Sequence, residues 1–162
     1  MQPDGKVMEV RILDPRLRTW GLPRYQSGMA AAIDLIACLD APTVLEPGGP
    51  PELISSGIAV HIADPSVAAL VLPRSGLGHR KGLVLGNLVG LIDPDYTGPI
   101  LVSAWNRSPA GTPPVVVEPG ERFAQMVFVP ILRPALSIVE AFSAASTRGA
   151  GGFGSTGTGA IV

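Results

Sequence analysis

Short apolar runs recur along the whole chain, and turn residues follow each of them. The first run, Val7–Leu13, alternates apolar and polar positions, as a half-buried β-strand does. Turn sequences such as Asp93-Pro94-Asp95 separate the later runs. The runs that predict strands are Val7–Leu13, Ala30–Cys38, Ile58–Ile62, Val67–Leu72, Leu83–Leu85, Ile100–Trp105, Val115–Val117 and Phe123–Val129. Many short strands with this punctuation predict an all-β sandwich or barrel.

The composition agrees with many short strands in one domain. Of 162 residues, 20 are glycine and 17 are proline, so turns are frequent and long helices are disfavoured. Only Asp64–Leu70 also fits a helix, and a turn that enters a strand fits it about as well. The 46% of hydrophobic residues suffices for a core and excludes disorder over most of the chain. The length excludes a two-domain enzyme with a separate cofactor module.

The charge balance excludes attraction of polyanions by the molecule as a whole. Lys and Arg number 12 and Asp and Glu number 13, which leaves a net charge of −1. We therefore expect no nucleic-acid partner and no membrane partner, and a few local cations must hold any bound anion. The first residues lack the apolar run of a secretion signal, and Cys38 is the only cysteine. Both features lead us to expect a cytoplasmic protein.

The composition changes near the carboxyl end. Six of the twelve residues from Arg148 to Gly159 are glycine, and Phe153 is the only large apolar residue among them. We therefore divide the chain into a β-rich body, residues 1–142, and a flexible arm, residues 143–162. The arm is either a frayed tail or a segment that becomes ordered over a ligand. In the second case Arg148, Phe153, Gly154 and Ser155 supply a cation, a flat ring, a backbone amide and a hydroxyl.

An arginine, a hydroxyl and glycine follow the apolar run Val67–Leu72. Arg74 can donate paired hydrogen bonds to phosphate oxygens, Ser75 can donate one more, and Gly76 leaves backbone amides accessible. This group predicts an anion site where a strand meets a turn. An ordinary turn with a surface arginine explains the same residues about equally well.

Residues 86–98 predict an apolar hairpin that carries polar groups. Asn87 can pair with the edge of a base, Tyr96 offers a flat ring to a sugar, and the Asp93 carboxylate can accept a proton from water. Leu91 and Ile92 are the apolar positions between them. The alternative is a favourable turn sequence without a ligand. Three potential ligand contacts in one segment favour the binding site.

Two polar residues interrupt runs that otherwise belong to a core. Asp34 and Gln125 each need a partner or a place beside a site, and a structural ion pair or hydrogen bond is the simpler explanation. His61 and His79 stand too far from other ligand-type residues to indicate a zinc site. Cys38 lies in an apolar run and is expected to be a small buried residue.

Five segments, in order along the chain, resemble the five motifs of the trimeric dUTP diphosphatases, or dUTPases. The segments are Ala32–Ala37, Pro73–Gly78, Gly90–Gly98, Gly120–Gln125 and Arg148–Gly157. Together they span most of the chain. Three residues depart from the family pattern. Ala32 replaces a glycine, Pro99 an acidic or polar residue, and Phe123 an aliphatic residue, and none of these positions is expected to do chemistry.

The resemblance implies a jelly-roll-like β-barrel or sandwich of the β-clip type, with a flexible glycine-rich carboxyl-terminal arm. It also implies a homotrimer in which neighbouring copies share three active sites. In such an assembly the third motif of one copy holds the uridine. The second motif of a neighbour holds phosphates, and the arm of the third copy closes the site.

The implied reaction is hydrolysis of dUTP to dUMP and diphosphate, which limits uracil incorporation into DNA and supplies dUMP for thymidylate synthesis. Asp93 would take a proton from the attacking water, and Ser75 would lie near the oxygen that leaves. Mg²⁺ would be held by the triphosphate and waters, with no direct protein ligand. The implied substrate-binding residues are Arg74, Ser75, Gly76, Asn87, Leu91, Ile92, Asp93, Tyr96, Gln125, Arg148, Phe153, Gly154 and Ser155, with Asp34 in support.

Two other functions fit the same fold. A dCTP deaminase needs a glutamate to move protons at the base, whereas the third motif offers only Asp93 and Asp95. A non-catalytic regulatory protein would not need the intact set of Asp93, Arg74, Arg148 and Phe153. The hydrolase is therefore the favoured interpretation.

Overall fold

Two four-stranded antiparallel sheets and a two-stranded ribbon make up the first part of the chain. The computed structural model describes residues 7–146 and 149–150, and it divides the chain into two units, Met1–Leu132 and Arg133–Val162. The strands are β1 (Glu9–Ile12), β2 (Ala32–Ile36), β3 (Thr43–Leu45), β4 (Glu52–His61), β5 (Val67–Pro73), β6 (Leu83–Leu85), β7 (Gly90–Ile92), β8 (Pro99–Asn106), β9 (Val115–Val117) and β10 (Arg122–Pro130). The two helices are α1 (Leu17–Trp20) and α2 (Ser75–Lys81).

The order of strands in the sheets brings distant segments together. The first sheet has the order β1-β4-β8-β6, and the second has the order β2-β10-β5-β7. The ribbon pairs β3 with β9. Strand β10, the last in the chain, lies between β2 and β5 and pairs with both. The position of β10 therefore brings side chains of β2, β10 and β5 next to one another.

One hydrophobic core joins the two sheets. Ile54 and Val102 of the first sheet and Leu35 and Met126 of the second belong to the same buried cluster. Two faces that bury a common core form a sandwich. The all-β expectation is confirmed. No helix among the described residues is long and apolar enough to cross a membrane.

The predicted strands match the observed ones, with two exceptions. Strand β3 was not predicted, because its three residues lie in a stretch of only four between prolines, which is too short a pattern to recognise. The first half of β4 was missed because Ser55, Ser56 and Gly57 interrupt its apolar pattern. The Ser56 hydroxyl is buried and donates to the carbonyl of Ile100 at 2.8 Å, so a polar residue fits this interior. Of the two alternatives for Asp64–Leu70, the turn that enters a strand is the one observed, and the strand is β5.

Two further expectations were wrong. Residues 75–81 form the helix α2 instead of a simple turn, and Gly82 ends it in the left-handed conformation with a hydrogen bond to the Leu77 carbonyl. Residues 86–98 do not form the predicted hairpin. The strand before them, β6, pairs with β8 in the first sheet, whereas β7 pairs with β5 in the second, so the segment between β6 and β7 connects the two sheets. Local pattern cannot distinguish a hairpin from a link, since both need two short strands and a turn.

Gly57 is the tightest point of the first sheet. It lies at φ +69° where the register between β4 and β8 shifts, and its carbonyl accepts bonds from the amides of Leu13 and Asp14 at 2.8 and 3.1 Å. A Cβ here would overlap Cys38 Sγ and lie 3.0 Å from Leu17 Cδ1. The bulge therefore requires glycine for its backbone angle and for space.

Gly57→Ala is expected to lower the free energy of unfolding by about 3 kcal/mol, because a left-handed alanine costs roughly 1 kcal/mol and crowding in the core adds the rest. Gly48→Ala is the matched control, since Gly48 has φ +72° and open space around it, and should cost about 1 kcal/mol. Urea unfolding of both variants at one protein concentration measures the difference. Equal losses would contradict the crowding at Gly57.

Candidate active site

A pocket of about 470 Å³ gathers residues from three of the predicted motifs. It lies in the second sheet, where β2, β10 and the end of β5 are neighbours. The predicted site residues that line it are Asp34, Arg74, Ser75, Gly76 and Gln125, and Arg122 of the fourth-motif segment lines it as well. Strands that are far apart in the sequence thus contribute to one concave surface, as binding sites commonly require.

Asp34 is held between two arginines. Arg74 Nε lies 3.0 Å from Asp34 Oδ1, and Arg122 Nη1 lies 3.2 Å from Asp34 Oδ2. The Asp34 side chain is only 12% exposed, so its charge needs these partners. Arg74 also donates from Nη1 to the Arg122 carbonyl at 2.7 Å. One carboxylate therefore orients two guanidinium groups at the pocket wall.

Gln125 fixes the end of the strand that leads to the pocket. Its Nε2 donates to the Pro73 carbonyl at 2.9 Å, and it stands opposite Asp34 in β2 and Leu72 in β5. Both polar residues that interrupt apolar runs thus have structural partners and also line the pocket. The ion pairs of Asp34 and the hydrogen bond of Gln125 confirm the structural explanation for both residues. Because both also line the pocket, contact with a ligand stays a prediction for them.

The Arg74–Ser75–Gly76 segment marks the change from strand to helix. Arg74 has an extended backbone, with φ −79° and ψ 129°, and its carbonyl accepts from the Gly78 amide at 2.8 Å. Ser75 is exposed and is the first residue of α2. The segment therefore presents a cation and a hydroxyl side by side at the pocket.

The third motif lies along the outer edge of the same sheet, beside β5. Asn87, Leu91 and Asp93 are exposed, and Ile92 is half-buried. The turn after β7 is closed by the Tyr96 amide, which donates to the Asp93 carbonyl at 3.2 Å, and by the Tyr96 hydroxyl, which donates to the Pro99 carbonyl at 2.9 Å.

Asp93 and the pocket lie at opposite ends of β5. Ile92 pairs with Ala69, near the start of β5, whereas Arg74 directly follows Pro73 at its end. The five residue steps from Ala68 to Pro73 span about 17 Å at the rise of a β-strand. A general base must reach its proton directly or through one water. Within one copy of the chain, therefore, Asp93 cannot serve a phosphate that Arg74 and Ser75 hold.

Four of the predicted substrate-binding residues cannot be placed. Arg148, Phe153, Gly154 and Ser155 lie outside the described residues. The proposed closure by the arm therefore has no structural description here and stays a prediction.

The three departures from the family pattern have simple structural accounts. Ala32 is the first residue of β2, where an extended backbone accepts any side chain. Pro99 is the first residue of β8, and its carbonyl accepts a hydrogen bond from the Tyr96 hydroxyl. A proline at this position is therefore compatible with the contact that the turn makes. Phe123 is 2% exposed and belongs to the core.

Three polar residues of the pocket were missed as site residues by the sequence analysis: Gln26, Arg80 and Arg122. Arg122 lies within the fourth-motif segment but was given no role there. Arg80 follows Gly76 by four residues, so the two share a face of α2. Recognising residues 75–81 as a helix would have pointed to Arg80. Nothing in the sequence around Gln26 signals its position.

A larger cavity, about 580 Å³, surrounds Cys38 and contains none of the predicted site residues. Burial, followed by the charge of Asp14 and a hydrogen bond to it, raises the pKa of the Cys38 thiol to about 11. The hydrogen bond from Arg16 lowers the pKa of Asp14. Cys38 is half-buried, not fully buried as expected, and stays a neutral thiol at neutral pH.

The described residues contain no cluster of three or more His, Cys, Asp or Glu that could cage a metal ion. His61 contacts Glu9 at 3.3 Å, and His79 lies on the exposed side of α2. Among the described residues that line the pocket, Asp34 is the one acid, and both of its oxygens face arginines.

Comparison with known proteins extends the resemblance to nearly the full chain. The dUTPase family profile matches residues 18–157. The deoxyuridine 5′-triphosphate nucleotidohydrolase of Xylella fastidiosa (strain M23) is 57% identical over 153 residues, which cover 94% of this chain and 96% of that protein. The protein of the same name from Xanthomonas euvesicatoria pv. vesicatoria (strain 85-10) is 52% identical over 158 residues, covering 97% and 99%.

Solved structures give the same result for the fold. The dUTPase of Staphylococcus bacteriophage 80alpha with dUPNHPP superposes with a TM-score of 0.80 at 27% identity, covering 93% of this chain and 98% of that one. A dUTPase variant of S. aureus phage phi11, described as revealing the coordination of a structural Mg(II) ion, gives 0.73 at 25% identity, covering 85% and 99%. With an all-β sandwich, five motifs in order and relatives of more than half identity over nearly their whole length, the chain belongs to the dUTPase family.

Proposed function

We propose that the chain hydrolyses dUTP to dUMP and diphosphate at a site that neighbouring copies build together. The activity follows from the family and from full-length relatives named deoxyuridine 5′-triphosphate nucleotidohydrolase. The observation that carries the shared site is the separation of Asp93 from the arginine pocket along β5. A second copy can bring its own Asp93 to this pocket, whereas the same copy cannot.

We take the assembly to be a homotrimer. A contact that uses two different surfaces of one chain closes into a ring when its rotation allows, and three copies then have three equivalent sites. Exposed apolar side chains support association, since Leu53 and Leu101 lie on neighbouring strands of the first sheet with 68% and 48% of their surfaces exposed. In the second unit, Leu136, Ile138 and Phe142 are each more than 90% exposed, which suits a segment that another copy covers.

In the proposed mechanism, Asp93 from one copy accepts a proton from water as the water attacks the α-phosphorus. Ser75 of a neighbouring copy donates to the oxygen that bridges the α- and β-phosphates, where negative charge develops as diphosphate leaves. Arg74, held by Asp34, offsets phosphate charge. Arg148 adds a further cation from the arm. The carboxylate and the donors therefore act on opposite sides of one phosphorus.

The pocket suits a Mg²⁺ ion that the nucleotide brings with it. Asp34 is occupied by two arginines, so the described pocket lacks a carboxylate cage and fits an ion held by phosphate oxygens and waters. Mg²⁺ bound in this way would supply charge neutralisation on the triphosphate. The protein side chains then need only orient the phosphates and the attacking water.

Selection of uracil and deoxyribose is assigned to the third motif. Asn87 and the backbone near Leu91 and Ile92 would pair with uracil and mismatch the amino group of cytosine, which leaves buried partners unpaired. Tyr96 is held over its own turn by the hydroxyl bond to Pro99, so it can pack beneath the sugar and exclude a 2′-hydroxyl. Phe153, with Gly154 and Ser155, would cover the base when the arm, residues 143–162, closes.

A deaminase of the same fold is the less favoured function. Its chemistry needs a glutamate at the base, and the exposed acids of the third motif are Asp93 and Asp95. The unpaired Cys38 favours a reducing compartment, and we place the enzyme in the cytoplasm.

Asp93→Asn is expected to keep dUTP binding within about threefold and to lower kcat by at least about 1,000-fold, because it removes a proton acceptor and keeps the shape. Diphosphate release measures kcat, and calorimetry with dUTP measures binding. Asp95→Asn, a neighbouring exposed acid outside the proposed machinery, is the matched control. Turnover of Asp93→Asn within tenfold of the parent would overturn the assignment of the base.

Mixed assemblies of Asp93→Asn and Ser75→Ala chains are expected to regain activity that each variant lacks alone. If each site takes Asp93 from one copy and Ser75 from another, random mixing in equal amounts restores about one site in four. The variants are refolded together, and diphosphate release is compared with separately refolded samples. Light scattering should give the mass of three 16.7 kDa chains. No regained activity in mixed trimers would show that each site lies within one copy.

A chain that ends at Thr147 is expected to keep its fold and its trimeric mass and to lose at least about 100-fold in kcat/KM, since it lacks Arg148 and Phe153. Circular dichroism and light scattering check the fold and the mass. Deletion of only the last three residues, 160–162, is the matched control and should leave the rate unchanged. An unchanged rate for the shorter chain would show that the arm is only a tail.

A further inference from the structure

Arg80 turns back along α2 and reaches the pocket. Side chains on a helix lean toward its amino-terminal end, so a residue covers the turn four positions before it. Arg80 Nη2 would lie only 2.9 Å from a Cβ built on Gly76, which places the guanidinium directly against the bare Cα of that glycine. The absence of a side chain at Gly76 thus makes room for a cation beside Ser75.

The three arginines of the pocket differ in what they already bind. Arg74 and Arg122 share the Asp34 carboxylate, and Arg74 also donates to the Arg122 carbonyl. The Arg80 side chain has no hydrogen bond or ion pair with any residue between 7 and 146. It is also absent from the interactions of residues 149 and 150. Its donors are therefore available to a ligand.

The pocket has an excess of positive charge, which lies at Arg80. One carboxylate, Asp34, faces the guanidinium groups of Arg74 and Arg122, which leaves the Arg80 charge without a local counterion in the pocket. A guanidinium offers several N–H groups in one plane and binds phosphate oxygens in pairs. A phosphate group has the negative charge and the acceptor oxygens that match the Arg80 side of the pocket.

We propose that Arg80 binds the diphosphate portion of dUTP and so contributes to substrate affinity. The inference rests on the proposed place of Ser75 at the oxygen between the α- and β-phosphates. The guanidinium lies against the residue after Ser75, on the pocket side, so the β- and γ-phosphates are the anions within its reach. Arg80 holds the group that leaves, while Asp93 of another copy acts on the water.

Arg80→Gln tests this assignment, with Lys81→Gln as the matched control. Lys81 is the next residue of α2, is exposed and does not line the pocket. Arg80→Gln should raise KM for dUTP about tenfold and keep kcat within about threefold, because a charged hydrogen-bond donor to the substrate is lost. Inhibition by inorganic diphosphate should weaken by the same factor, and inhibition by dUMP should not change. Arg80→Lys should recover part of the affinity, as a point charge in the same place.

Equal kinetic constants for Arg80→Gln and Lys81→Gln would overturn the assignment, as would a weaker inhibition by dUMP that matches the loss for diphosphate. Thermal unfolding of both variants shows whether the fold is retained. Failure of the proposed function would give a different result: the unmodified chain would hydrolyse dUTP at a rate that Asp93→Asn does not change. Failure of the present inference would leave the parent activity and its dependence on Asp93 intact.

Discussion

The carboxylate of Asp34 between Arg74 and Arg122 is the interaction on which the rest of the site depends. A carboxylate on the edge strand β2 that is only 12% exposed is costly without partners, and these two guanidinium groups supply them. The same contacts hold both cations at the pocket wall in fixed directions. Asp34 thus neutralises part of the pocket's positive charge but fixes the positions of two arginines, while a third, Arg80, stays available for an anion.

The pocket exists because β10 returns to lie between β2 and β5. That arrangement places Asp34, Gln125 and Leu72 side by side on three strands, and it brings the end of the fourth motif beside the start of the second. The length of β5 then separates the phosphate-binding residues from the proposed general base. The phosphate-binding half lies at its end and Asp93 lies near its start, so one copy holds both halves of the site at a distance that only association can close.

Much of the fold could be predicted from local pattern, and the failures have specific causes. Apolar runs predicted β1, β5, β8 and β10, and each of these strands contributes side chains that pack on the common core. Strand β3 is too short for a pattern. The start of β4 contains a buried serine whose partner, the Ile100 carbonyl, is 44 residues away. The helix α2 contains two glycines, so its tertiary surroundings outweigh its low intrinsic preference.

The amino-acid sequence by itself determined the chemical groups of the site: an aspartate in a turn, an arginine and serine after a strand, and an acid and an amide inside apolar runs. These are local features, readable from neighbours in the chain. Only the tertiary structure decided which groups meet, because strand pairing joins segments with no local signal of each other. It placed Asp34 on two arginines, moved Asp93 to the far end of β5, and turned Arg80, an ordinary surface residue in the sequence, toward the pocket over a glycine.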